Sequence, residues 1–440
     1  MLRFLHLSDV HFRKKSGNSY DVDTDLRNEL EIDCKAFSEK HGAPDAILVT
    51  GDVAFSGSRD EYQIAAEWLR KLCELVSCSE TAVWCVPGNH DVNQAITKAS
   101  DMLSEAQEKI RRIATESPSG LNDHLNSLMS DPMQRNYLFA PIEEYNKFAA
   151  VFKCDVTPTS PVWHSLFTLA DGTKIRLNGL TSTFVSNHFD QERQFVVVGE
   201  HQAPMRDHEV VEIVLCHHPH DWIRGDDFKA KLDARARLQL FGHKHMQAIK
   251  KLENTVHVVA GAVHPERSEQ SWEPRFNWIE LETANDGARE LMIRVFPRKW
   301  NSTDAKFDAD FNLCNGSDNK QITFPLQPLA QPAGGYEAQQ AVLPVESMAK
   351  DVSPTNNEND EENARILTYR YLNLSHVRRL QVAIELGLLQ DQDEGLADFK
   401  LYERVFERAI ERDLLCQLWD KVDQLTKDSD GSVNPFVKTE

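Results

Sequence analysis

The eight cysteines, at positions 34, 73, 78, 85, 154, 216, 314 and 416, form no Cys-x-x-Cys pair. Such scattered singletons suit neither a zinc knuckle nor a disulfide framework, and they read as reduced, mostly buried thiols. No run approaches the ~20 uninterrupted apolar residues of a spanning helix, and the opening Met1 to Asp9 lacks the layout of a secretory signal. No membrane contact and a cytoplasmic location are therefore expected. Positive charge is also scarce: 49 Lys and Arg against 69 Asp and Glu leave −20, and residues 331–440 hold 12 basic and 21 acidic side chains. A chain acidic in both halves is not built to grip a polyanion by a broad basic face, which leaves a local patch or bound metal to attract phosphate. With 41% hydrophobic and 27% charged residues, the composition is that of a globular protein. The 440 residues are enough for two or three domains.

Short apolar runs alternate with amphipathic stretches over residues 2–300. Leu2–Leu7, Ala46–Thr50, Ala82–Val86, Ile175–Leu180, Glu212–Cys216 and Leu238–Phe241 suit buried strands, and Thr255–Ala260, Phe276–Leu281 and Leu291–Phe296 add three more. Tyr62, Ala65, Ala66, Leu69 and Leu72 fall near helical spacing within Arg59–Val76. The reading is a layered α/β domain of two packed sheets over residues 1–310. Residues 94–150 interrupt the rhythm as a polar, mostly helical insertion, one reading of which is a lid. Residues 311–362, with clusters such as Gln327 to Gly335 and Ser353 to Asn357, have the composition of a flexible linker. In residues 363–427, Ser375 reads as a helix cap and Gly387 as a stop. Val377, Leu380, Ala383 and Ile384 share one helical face, and Tyr402, Val405, Phe406, Ala409 and Ile410 share another. This end is expected to be a small all-α domain.

Five polar clusters fall just past predicted strands: Asp9-Val10-His11, Gly51-Asp52, Gly88-Asn89-His90-Asp91, His217-His218-Pro219 and Gly242-His243-Lys244-His245. Loops at the carboxyl ends of strands are where α/β folds place ligand sites, so these distant clusters can converge. Carboxylate, imidazole and amide donors suit borderline divalent ions such as Mn, Fe, Co or Zn. One bridging carboxylate allows two ions, and two ions about 3.5–4 Å apart can clamp the attacking and leaving oxygens of a phosphoryl displacement and turn water into hydroxide.

In order and content the five blocks resemble the calcineurin-like metallophosphoesterase superfamily. The resemblance covers roughly residues 1–300 and implies a four-layer αββα sandwich. By matched position it implies that Asp9, His11 and His245 bind one divalent metal, that Asn89, His217 and His243 bind the other, and that Asp52 bridges them. Manganese is the metal favoured for activity. The family pattern of a ligand His, any residue and then Pro favours His217, with His218 the alternative. His90 would protonate the leaving group or steady transition-state charge, and Asp91 would orient it.

His6-Leu7-Ser8-Asp9-Val10-His11-Phe12, Val49-Thr50-Gly51-Asp52-Val53 and Val86-Pro87-Gly88-Asn89-His90-Asp91 look most like the cyclic-nucleotide and glycerophosphodiester phosphodiesterase branch. The implied activity is hydrolysis of a nucleotide phosphodiester. The opening is also similar to the nuclease branch.

The helical end, with Leu386-Gly387-Leu388-Leu389, Phe406-Glu407-Arg408-Ala409 and Leu415-Cys416-Gln417-Leu418-Trp419, is similar to death-like effector-associated adaptor modules of bacterial conflict systems. That implies a protein partner for residues 363–427. It also keeps open a metal-dependent DNA or RNA nuclease effector recruited through this end. A non-catalytic scaffold is the reading from another class, and five intact blocks weigh against it. The remaining histidines take ordinary structural roles, with His220 and His264 set apart by their closeness to blocks. Arg111, Arg112 and Arg135 in the insertion are placed on a solvated helical face rather than against substrate.

Overall fold

The computed structural model describes residues 1–14, 23–187, 196–207, 209–265, 273–284 and 289–327, then 376–390 and 398–425 with a few residues beside them. The chain divides into two compact units, residues 1–336 and 337–440.

The first unit opens with β1 (Leu2–Leu7), α1 (Asp23–His41), β2 (Ala46–Val49), α2 (Arg59–Val76) and β3 (Val83–Cys85). Five helices follow: α3 (Gln94–Ala99), α4 (Asp101–Glu116), α5 (Pro118–Ser130), α6 (Pro132–Phe139) and α7 (Glu143–Ala149). Then come β4 (Val162–Thr168), β5 (Lys174–Leu180), β6 (Val210–Cys216), α8 (Asp226–Arg235), β7 (Ala236–Phe241), β8 (Ala248–Lys251) and β9 (Val256–Val259). The unit ends with β10 (Arg275–Ala284), β11 (Glu290–Asn301), β12 (Lys306–Ala309) and β13 (Lys320–Pro325).

One sheet runs β12-β11-β10-β1-β2-β3 with β13 also on β11, and the other runs β4-β5-β6-β7-β9-β8. Strands β1, β2 and β3 are parallel, as are β5, β6, β7 and β9. All of β1 and β2 is buried, as expected of parallel strands covered on both faces. The sheets pack through the rings of Phe4 and Phe167, 5.6 Å apart, and of Trp84 and Trp163, 5.0 Å apart. Trp163 lies over Gly179 on the neighbouring strand, and its indole donates to the Cys85 carbonyl at 2.8 Å. The chain is thus an α/β fold of two mixed sheets with helices, followed by a small helical C-terminal region.

All nine strands expected from apolar runs are present. The additional strands β4, β8, β12 and β13 have polar residues at alternate positions, because one face or one edge of each is solvated. β13 corrects the expected domain edge at residue 310. Ile322 and Phe324 are buried, and residues 320–325 pair in register with Val295–Glu290 of β11. The sheet therefore continues into the expected linker, whose residues 328–362 lie outside the described residues.

The helical insertion is bolted down. Gln107 of α4 is buried, donates to the carbonyls of Phe184 and Ser186 at 3.2 and 3.1 Å, and accepts from Asn187 at 2.8 Å. Phe148 of α7 stacks on Tyr62 of α2 at 5.2 Å. Arg111 and Arg135 donate to the carbonyls of Val185 and Met129.

The second unit contains α9 (His376–Glu385), α10 (Asp398–Glu411) and α11 (Leu415–Leu425) around Val382, Ala383, Tyr402, Val405, Ala409, Leu418 and Trp419. Gly387 ends α9 in the left-handed region at φ 64°, while the Leu388 amide reaches back to the Ala383 carbonyl at 2.8 Å. Asp393 pairs with Arg408 and Arg404, which pull its carboxyl below the usual range against the effect of burial. Ser375 and the Val377 side chain lie outside the described residues. Ile384 and Ile410, expected on the buried faces, are 65% and 61% exposed.

Phe324→Ala in the full-length chain should destabilise the first unit by about 3–5 kcal/mol in denaturant unfolding, the cost of deleting a buried aromatic side chain. A change below about 1 kcal/mol would instead place β13 in a loose linker, given how little surface substitutions cost.

Candidate metal centre

Each of the five blocks begins where a parallel strand ends, and backbone bonds lace the resulting loops together. The amides of Asp9 and His11 donate to the carbonyls of Gly51 and Asp52, both at 3.0 Å. The Gly242 amide donates to the His217 carbonyl at 3.0 Å, and the His264 amide to the Asp9 carbonyl at 3.1 Å. Hydrogen bonds also tie the loops of one sheet to those of the other. The Asp9 carboxylate accepts the His243 amide at 3.1 Å, and the Thr50 carbonyl accepts the His217 imidazole at 2.7 Å.

Asp52 stands at the middle. Its Oδ2 lies 3.4 Å from His11 Nε2 and 3.3 Å from His217 Nε2, while its Oδ1 accepts the His90 amide at 2.8 Å. On one side, Asp9, His11 and His245 gather their donor atoms within 4.8 Å of one another. On the other, His217 Nε2 and His243 Nδ1 are 3.3 Å apart, and Asn89 Oδ1 lies 3.0 and 2.9 Å from them. All seven expected ligands are thus brought together. His217 is the histidine that meets Asp52 and Asn89. Its neighbour His218 is buried beside the same group, and its Nδ1 is hydrogen-bonded to Ser182 Oγ at 2.8 Å.

The donor chemistry fits divalent cations. His11 Nδ1 is held by the His264 carbonyl at 3.2 Å and His217 Nδ1 by Thr50, so in their neutral forms both rings carry the proton there and turn a bare Nε2 inward. Carboxylate, amide oxygen and bare nitrogens then face one another. Asp9 Oδ1 is buried with no hydrogen-bond donor, a costly arrangement that a cation would relieve. Burial opposes charging of His11 and His217, yet Asp52 outweighs it and raises them to about 8 and 9. Burial and His217 push His243 down to about 3. The carboxylates thus create a field that calls for positive charge.

The site also stores backbone strain. Asp9, His11, Asp52 and His243 have φ values of 53°, 51°, 53° and 64°, in the left-handed region that costs a non-glycine residue of order 1–2 kcal/mol. Gly88 and Gly242 make room for them. A Cβ on Gly88 would lie 2.2 Å from Asp52 Oδ1, and one on Gly242 would lie 2.0 Å from Ser8 Oγ.

His90 is half-buried. Its ring packs 4.8 Å from that of His11, and its Nδ1 donates to the Phe55 carbonyl at 2.8 Å. Asp91 does something other than orient it. Its carboxylate accepts the amides of Ala54 and Gly88 and the Tyr62 hydroxyl, each at 2.9 Å, and the Val53 amide at 3.3 Å. Asp91 therefore locks the second and third loops together, and the partner of the His90 ring is a main-chain carbonyl.

Three neighbours were not singled out from the sequence. Phe55 packs against the His90 ring at 5.3 Å, Arg13 lies 3.7 Å over the Phe55 ring, and Trp222 meets His243 edge-on at 4.1 Å. Arg13 sits two residues past His11, a basic group beside a block that could have been flagged. Of the two extra histidines, His264 supplies a carbonyl to His11. His220 belongs to a separate group with Asp233 and His257, tied together through Gln239.

Gly88→Ala should displace Asp52. Elemental analysis after saturation with manganese should then find bound metal reduced by at least half, with near-ultraviolet circular dichroism retained. Full metal content would show that Asp52 is not held in place by this contact.

Comparison with known proteins agrees with this geometry. A family model described as calcineurin-like phosphoesterase matches residues 2–247, and one described as a GTPase-associated adaptor domain matches residues 363–424. An uncharacterised metallophosphoesterase-like protein, YydB of Bacillus subtilis (strain 168), is 26% identical over 160 residues, covering 33% of this chain and 32% of that protein. Glycerophosphodiester phosphodiesterase GpdQ of Enterobacter lignolyticus (strain SCF1) is 32% identical over 88 residues, covering 20% of this chain and 28% of that one. The chain thus spans a third or less of the curated relatives it matches. Among solved structures, purple acid phosphatase PPD1 from yellow lupin (Lupinus luteus) seeds aligns at 11% identity and a TM-score of 0.40, covering 75% of this chain and 57% of that one. None of the described helices is long and apolar enough to cross a membrane. With more than half its length matched by the first model, the chain belongs to the calcineurin-like phosphoesterase family.

Proposed function

We propose that the protein is a binuclear metal-dependent phosphodiesterase whose substrate is a nucleotide phosphodiester. The observation that carries this reading is the position of Asp52 Oδ2, within 3.4 Å of an imidazole nitrogen on either side. Asp9, His11 and His245 would hold one divalent cation and Asn89, His217 and His243 the other, with Asp52 common to both. When bound, such a pair supplies Lewis acidity to the phosphate and makes water acidic enough to attack it near neutral pH. Manganese is the metal we favour.

The chain's own groups do the rest. His90 is anchored through Nδ1, so Nε2 is the atom free to carry a proton to the leaving oxygen. Arg13 lies over the Phe55 ring, which itself packs against His90, and a guanidinium this near a bound phosphate would favour the more negative transition state. Asp91 holds the loop that carries both Asn89 and His90. The phosphodiesterase name of one relative supports the choice of a diester over a monoester. The net charge of −20 supports a small substrate over a long polyanion.

The match to an adaptor domain favours a second reading, in which the C-terminal unit recruits a protein partner and the enzyme is a nuclease effector of a bacterial defence system. The exposed Ile384 and Ile410 offer apolar contacts for such a partner.

Manganese-loaded protein tested on cyclic nucleotides, bis-p-nitrophenyl phosphate, single-stranded DNA and RNA, and a phosphopeptide should turn over a nucleotide diester fastest. Fastest cleavage of DNA or RNA would favour the effector reading. His90→Ala should lower turnover by roughly 10²–10⁴ on substrates with poor leaving groups, the usual worth of a positioned acid. The loss should shrink with p-nitrophenolate as leaving group, while metal content stays normal. Equal losses on both substrates would remove proton donation from the role of His90.

A further inference from the structure

The candidate metal ligands lie past the C-terminal ends of the parallel strands. At the opposite pole of the second sheet, around the N-terminal ends of β5, β6 and β7 and the end of β13, is a cavity of about 640 Å³. Five basic side chains line it, those of Lys174, Arg206, Arg235, Arg237 and Arg289, against two acidic ones. In a protein of net charge −20 this is a local reversal of sign.

Much of that positive charge lacks a carboxylate. Asp171 meets Arg289 at 3.3 Å. Asp207, one of the two acidic lining residues, is itself taken by Arg176 at 3.3 Å. Arg235 donates to the Pro204 carbonyl at 2.8 Å and Arg237 to the Asn254 carbonyl at 2.9 Å, and among the described residues neither guanidinium forms an ion pair. Arg237 is half-buried, with its guanidinium 5.8 Å from the centre of the Phe324 ring. Burial lowers its pKa, the mark of a cation held partly out of water without a counter-charge.

Several cations brought together from strands, a helix end and loops suit a ligand carrying more than one negative charge. Guanidinium forks match phosphate oxygens in particular. The walls are also partly apolar, from Val210, Val211 and Leu326. A cavity of this size, mixing apolar walls with a few placed polar groups, suits a small organic molecule better than a bare ion.

We propose that this cavity binds a phosphorylated organic anion of nucleotide size, at a site separate from the metal centre. Nothing in the proposal depends on the reaction proposed for the metal centre, since the candidate ligands and the cavity lie at opposite ends of the strands.

The test is calorimetric titration of full-length protein stripped of metal by chelation, with α,β-methylene-ADP as a probe that resists hydrolysis at the bridging position. One molecule should bind per chain. Arg237→Ala should weaken binding at least tenfold with unchanged circular dichroism. Lys174→Glu alters an exposed residue, so it keeps the test valid if the arginine variant misfolds, and it should weaken binding to a similar degree. Saturable binding that vanishes in folded Lys174→Glu would support the site. No saturable binding to the metal-free protein, or equal affinity in wild type and Lys174→Glu, would overturn it.

Discussion

The first unit is organised around one buried carboxylate that has to face two groups of imidazoles at once. Asp52 is only 2% exposed, with both of its oxygens in contact with neighbouring donors. Burying such a charge is tolerable only where donors or cations surround it. The surrounding loops meet that demand. The His90 amide satisfies one oxygen, His11 and His217 approach the other, and Asp91 ties the loop of Asp52 to the loop of Asn89. Strain follows from the same demand, since Asp9, His11, Asp52 and His243 all adopt left-handed backbone to aim their side chains inward. The two sheets have to pack as they do for this to work, because the candidate ligands come from both.

Much of this was legible in the sequence because the signals were local. Apolar runs marked the fully buried strands, and each polar block followed such a run directly. The edge strands were hidden for a physical reason: β8 buries only Ile249, and β13 alternates exposed and buried positions inside a stretch of linker-like composition. Within the site, residue types picked out the candidate ligands, whereas the groups that orient their rings are carbonyls of Thr50, Phe55 and His264, which any residue supplies. That is why Asp91, a carboxylate adjacent to His90 in sequence, was expected to do the work of the Phe55 carbonyl. Ile384 and Ile410 kept helical spacing yet face outward, because periodicity identifies a stripe without showing how wide a face its neighbours cover.

The two poles of the second sheet carry opposite electrostatic character. Carboxylates and imidazoles gather at the C-terminal ends of the strands, where the proposed cations would sit. At the N-terminal ends, guanidinium groups hydrogen-bonded to carbonyls line the cavity proposed for an anion. On the two proposals, a strongly acidic chain would meet phosphate through fields concentrated in pockets rather than spread over a basic face.

The central claim is that Asp52 is shared by two cations, and anomalous diffraction from crystals grown with manganese tests it most directly. Two anomalous peaks about 3.5–4 Å apart are expected, as in other two-metal sites, with Asp52 Oδ2 bonded to both. A single peak, or two peaks of which only one contacts Asp52, would contradict the account.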